Sequence, residues 1–136
     1  MRRLRRFTQL TVAERRILIR VLLVVGVART SLWVLPVQAA RRVVAKVAAG
    51  AAGDSVEQVV WAVRVASRYL PGATCLTQAV AAHALLLHSG FPAHVEIGVA
   101  KDELRRFHAH AWVVCQGQVV LGGRQVERYD SLVVWD

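Results

Sequence analysis

The apolar pattern of this chain changes period once, at Gly90-Phe91-Pro92, and that change limits the folds open to it. Before it, Leu18, Val21, Leu22 and Val25, then Val43, Val44 and Val47, then Val56, Val59, Val60 and Val63 recur at helical spacing. After it, Val95, Ile97 and Val99 alternate with His94 and Glu96, the period of a half-buried strand. Helices followed by a small antiparallel sheet make an α+β domain.

Punctuation places the elements. Thr11-Val12-Ala13-Glu14 reads as a capping box opening the first helix, and a second helical stretch begins near Ser31 and kinks or restarts at Pro36. A small-residue break over 48–53 precedes a second box, Asp54-Ser55-Val56-Glu57, whose helix ends near Tyr69, before Pro71-Gly72. Cys75 to about His88 is a further helix, stopped by Gly90 and Pro92. Residues 101–106 form a charged turn, Phe107 to Cys115 is extended, and Gln116-Gly117 is a hairpin turn leading into Gln118–Leu121. Gly122-Gly123 ends that strand, and Leu132 to Trp135 adds an edge strand. The expectation is one domain over 1–136, with a helical portion (1–70) packed on a second portion (71–136).

Composition narrows the function. The chain has 136 residues, 55% of them hydrophobic, with a net charge of +9 that comes from 16 Arg, 2 Lys and 9 acids. Such charge attracts nucleic acid, an anionic membrane or an acidic peptide. No nucleic-acid motif accompanies it, so nucleic acid is not an expected partner. Arg2, Arg3, Arg5 and Arg6 precede an apolar stretch, but Arg20 and Arg29 leave only 21–28 uncharged, short of the roughly 20 residues of a span. No transmembrane span is expected; peripheral membrane contact is compatible with this basic, apolar end. Two cysteines make no disulfide framework, and the chain reads as cytoplasmic with reduced thiols.

Cys75 and His110 carry the chemistry. A thiol at a helix N-terminus sits where unpaired N–H groups and the helix dipole favour the thiolate. A strand histidine is a rigid mount for the base that takes its proton. Each has a plainer reading: a buried cysteine packs as a small apolar residue, and a strand histidine is often satisfied structurally. Strand parity puts His108, His110, Trp112 and Val114 on one face, so His108 competes for the base or shapes the cleft. His108 and His110 with Cys115 or Cys75 is the one zinc pattern, weakened because Cys115 falls on the other face. His83, His88 and His94 read as surface or core-edge residues.

The segments Cys75-Leu76-x-x-Ala79, Leu85-Leu86-Leu87, Gly90, Ile97-Gly98-Val99 and Ala109-His110-Ala111-Trp112-Val113 resemble the transglutaminase-like cysteine proteases of lasso peptide biosynthesis. The matching block covers about 71–123, and a chain of this length is similar to the standalone protease of that family. The resemblance implies a papain/transglutaminase-like core, with Cys75 as nucleophile and His110 as base; Trp112 and His108, on the His110 face of the strand, are then expected to line the cleft. It implies removal of a leader from a ribosomally made precursor peptide, without cofactor or metal. The expected partners are that precursor, a small leader-recognition protein and an ATP-dependent cyclase. The family pattern also places an Asp on the returning strand opposite the histidine. Pairing across the turn sets His110 opposite Gly123, in Leu121-Gly122-Gly123-Arg124, which holds no carboxylate. The orienting group is then Asp130, next Glu127, or else a backbone carbonyl or the amide of Gln78 or Gln118. A non-catalytic scaffold of the same biosynthetic complex is the alternative, since the Val-rich helices carry more apolar surface than a small domain buries alone.

Overall fold

The computed structural model describes residues 12–49, 55–70, 74–101, 104, 107–122 and 130–135. Helices α1 (Val12–Val34), α2 (Val37–Ala48), α3 (Val56–Tyr69) and α4 (Cys75–His88) precede strands β1 (Ala93–Lys101), β2 (Phe107–Cys115), β3 (Gln118–Leu121) and β4 (Asp130–Trp135). The α+β expectation holds, and so does the change of period at the α4–β1 turn.

α1 packs against α2, α3 and α4, and α4 also packs against α2, α3, β1 and β2, so α4 is the central element. Nine of its residues are buried, including Leu85 and Leu86 with no exposed surface. It is apolar on every side because it has neighbours on every side. The core joins Leu18, Val21, Val24 and Val25 of α1 and Val59 and Val63 of α3 to Val95, Ala111, Val113 and Cys115 of the sheet.

Several local expectations shift. The first helix does not stop near Ser31 but runs through Arg29 and Ser31 to Val34, and the restart comes at Pro36, which precedes α2. Its segment Glu14–Val34 is, by length and composition, long and apolar enough to cross a membrane, with a third of it buried inside the protein. The buried stripe of α2 is Ala40, Val44 and Ala48, whereas Val47 is exposed. Two alanines one turn either side of Val44 permit a close helix–helix approach that a valine stripe would not. The capping box of α3 is set one residue later than expected. Ser55 Oγ accepts from Gln58 N–H at 3.2 Å, and Gln58 Oε1 accepts from Ser55 N–H at 3.0 Å. The proposed Thr11 box lies outside the described residues.

α4 ends in a Schellman turn. Gly90 takes φ +88°, its N–H donates to Leu87 O at 3.1 Å, and Phe91 N–H donates to Leu86 O at 2.9 Å. This reversal sends β1 back alongside α4. The sheet order is β3-β2-β1-β4, with every described pairing antiparallel. Gln116 (φ 54°) and Gly117 (φ 79°) both lie in the left-handed region, the signature of the two-residue type I′ hairpin. Pairing across it runs Cys115 with Gln118 and Val114 with Val119, then slips at a bulge so that Val113 meets Leu121.

Candidate active site

Cys75 is the first residue of α4. Thr74 caps the helix: its Oγ1 accepts from Thr77 N–H at 3.3 Å, and its carbonyl accepts from Gln78 N–H at 3.0 Å. The cap therefore takes up the third and fourth amides of the first turn. The amides of Cys75 and Leu76 are outside it, beside the half-buried thiol. Donors in that position suit an oxyanion formed at the thiol.

His110 lies on β2 opposite Gly98 of β1, a rung with no second side chain to crowd the ring. From the turn at Gly90, Cys75 is about 20 Å back along α4. Gly98 is about 17 Å out along β1. The returning strand thus brings His110 to the end of the sheet where α4 begins, and α4 packs directly on β2. Parity limits the approach. Ala111 and Val113 face the helical core, so His110 and Trp112 belong to the other face of the strand. No hydrogen bond joins Cys75 to the His110 ring among the described residues. The structure brings the two elements together and leaves thiol and imidazole unlinked.

The ring itself is held on two sides. His110 Nε2 lies 2.8 Å from the carbonyl oxygen of Gly122. A carbonyl only accepts, so Nε2 carries a proton in this contact. Trp112 stacks on the imidazole with ring centroids 6.2 Å apart and planes at 28°. Trp112 is 2% exposed, and its indole N–H donates to Glu96 Oε2 at 2.6 Å, directly across the β1–β2 ladder. His94 Nε2 in turn approaches Glu96 Oε1 at 3.4 Å.

The other expected site residues divide. Trp112 is too buried to line an open cleft; it supports the His110 ring. His108 pairs with Ala100 in the β2–β1 ladder, and its side chain lies outside the described residues. Asp130 opens β4, paired with Val99, so β1 stands between it and the strand of His110. Two ladder spacings separate those backbones by about 9–10 Å. Among the described residues the Gly122 carbonyl accepts from the His110 ring; Glu127 and the side chain of Asp130 lie outside them.

His83 is buried rather than at the core edge, its Nε2 3.1 Å from Ala93 O, and so fastens α4 to the start of β1. Cys115 is buried in the core, and that burial pushes its thiol up from the usual value near 9.0. Sequence reasoning did not find the groove beside Cys75, a cavity of about 320 Å³ between the C-terminal end of α1 and the N-terminal end of α4. Arg29, Leu32 and Trp33 line one wall; Thr74, Leu76 and Thr77 line the other, flanking Cys75 in sequence. Trp33, 83% exposed, is the one hint the sequence held, a large aromatic in an Arg-flanked helix end.

The family model of the transglutaminase-like superfamily matches residues 18–134, nearly the whole chain, and the protein belongs to that superfamily, which includes cysteine proteases and transglutaminases. No curated protein and no solved structure gives a significant match.

Proposed function

We propose that this protein is a cysteine peptidase that removes the leader from a ribosomally made lasso precursor peptide. In this reading it is cytoplasmic and works with a separate leader-recognition protein and an ATP-dependent cyclase. The observation that carries the reading is the placement of Cys75 at the first position of a capped helix, at the same end of the sheet as a histidine whose Nε2 donates to a backbone carbonyl. The superfamily membership and the motif resemblance support it. Cys75 as thiolate attacks the scissile carbonyl, and the Cys75 and Leu76 amides receive the oxyanion. His110 protonates the leaving amine and then takes a proton from the water that hydrolyses the thioester. Thiol–imidazole contacts are often long without substrate and tighten in the complex.

A second reading, a non-catalytic scaffold of the same complex, is favoured by two observations: the unlinked thiol and ring, and the exposed Ile19, Leu23, Trp33 and Val34 along α1. One experiment separates them. The precursor peptide is incubated with the protein, with and without the leader-recognition protein, and the products of wild type, Cys75→Ala and His110→Ala are weighed. The peptidase reading expects one cut at the leader–core junction, abolished in both variants. Wild type that binds the recognition protein but never cuts selects the scaffold.

A further inference from the structure

We infer that the exposed face of α1 is a membrane-docking surface that lays the helix flat on an anionic bilayer. This contact is independent of any peptidase activity. α1 carries apolar residues on two opposite sides. At about 100° per residue, Leu18, Val21, Val24, Val25 and Ala28 fall on one side, buried where the helix packs on α2, α3 and α4. Val12, Ile19, Leu23, Trp33 and Val34 fall on the other side, within an arc of about 100°, and each is at least half exposed. A surface helix with one covered side ordinarily turns a polar face outward. Here the outward face is an apolar stripe about 33 Å long.

Charge points to the occupant. Arg16 and Arg20 border the stripe on one flank and Arg29 on the other, and all three are exposed. The single acid of α1, Glu14, falls on the core side and is half-buried. Thr30 lies in mid-stripe, and its hydroxyl donates to Gly26 O at 2.9 Å, so its proton needs no water. Trp33 closes the stripe with a ring suited to the headgroup level. On an anionic bilayer the apolar side chains enter the acyl boundary while the guanidinium groups stay among the phosphates. The net charge of +9 adds to the attraction. By length and composition the helix could also cross a bilayer, but its core side is packed on three other helices, so lipid reaches it from one side only. It lies on the membrane rather than spanning it. A second copy on this face would bring three more arginines against these, a like-charge contact that disfavours it.

The test uses the full chain and sucrose-loaded vesicles of phosphatidylcholine, alone or mixed with phosphatidylglycerol, with the bound fraction read by sedimentation. Binding to the mixed vesicles is expected, weaker on phosphatidylcholine alone and at high salt. Each of Arg16→Gln, Arg20→Gln and Arg29→Gln should lower it roughly fivefold. The pair Ile19→Ser and Leu23→Ser keeps the charge and should lower it roughly tenfold per side chain. Val119→Ser, at an exposed apolar position on β3, should bind like wild type. Brominated lipid should quench the emission of Trp33, taken as wild type minus Trp33→Phe. No binding to mixed vesicles, equal binding by the Ile19/Leu23 double variant, or an unquenched Trp33 would each overturn the assignment. A dimer in analytical ultracentrifugation that the double variant abolishes, without vesicle binding, would give the face to a second copy instead.

Discussion

Removing the Glu96 carboxylate should destabilise the protein through a residue it does not cover. Trp112 is 2% exposed and its indole N–H donates to Glu96 Oε2 at 2.6 Å, the short, charge-assisted kind of hydrogen bond. In Glu96→Ala the indole N–H stays buried, because its strand register is fixed by Ala111 and Val113 in the core on either side. The loss is therefore that of an unsatisfied buried donor, about 1–3 kcal/mol. Glu96→Gln keeps an acceptor at the same place and should lose about half as much. Trp112→Phe removes the donor together with part of the ring. In its background Glu96→Ala should therefore cost less than about 0.5 kcal/mol, giving a coupling of about 1–2 kcal/mol in the cycle. Urea unfolding of the four proteins, followed by tryptophan fluorescence with circular dichroism as a check, measures each term. Glu96→Ala within about 0.5 kcal/mol of wild type, or equal losses in both backgrounds, would refute the reasoning.

Four further outcomes follow from other elements. Ellman's reagent should label Cys75 well before Cys115, whose raised thiol is in the core; stopped-flow traces of wild type and Cys75→Ser decide it, and fast labelling in Cys75→Ser would contradict the burial. The same group gives a signed pH effect. Its folded pKa exceeds its unfolded value, so its stabilisation is complete below about 9.0 and is lost as pH rises above it; Cys115→Ala should flatten that alkaline decline in urea midpoints measured from pH 8 to 10. Ser55→Ala opens the capping box of α3 and should cost about 1 kcal/mol, whereas Asp54→Ala should cost less than half of that, which thermal melts can resolve. Gln116→Asn, at φ 54° in the type I′ turn, should raise the urea midpoint, by about 0.5 kcal/mol.

What could be read before the structure, and what could not, has physical causes. The fold class follows from one change of hydrophobic period, and the turn at Gln116-Gly117 from local chemistry, so both were legible. The box at residues 54–58 was misplaced by one position because Asp54 and Ser55 are both good caps with an acid or amide three residues on. The α2 stripe was misread because hydrophobicity ranks Val47 above Ala40 and Ala48, whereas close packing prefers the small residues. Cys75 and His110 stood out by type and position. The acceptor at His110 did not, since a backbone carbonyl has no side-chain signature and the bulge that delivers it leaves alternation nearly intact. The place of Asp130 was not legible, because strand order is not written in spacing; β4 joins the β1 edge. The Trp33 groove joins residues more than forty positions apart, which only the packing of α1 on α4 brings together.

The central claim is that Cys75 is a nucleophile served by His110, and trapping the covalent intermediate tests it most directly. The leader peptide, ending in a chloromethyl ketone in place of the scissile amide, is incubated with the protein and its recognition partner, and the intact masses of wild type, Cys75→Ala and His110→Ala are compared. The account expects one adduct per chain on Cys75, none in Cys75→Ala, and formation slowed by about a hundredfold or more in His110→Ala. An adduct that forms as fast without His110, or that maps to Cys115, would contradict it.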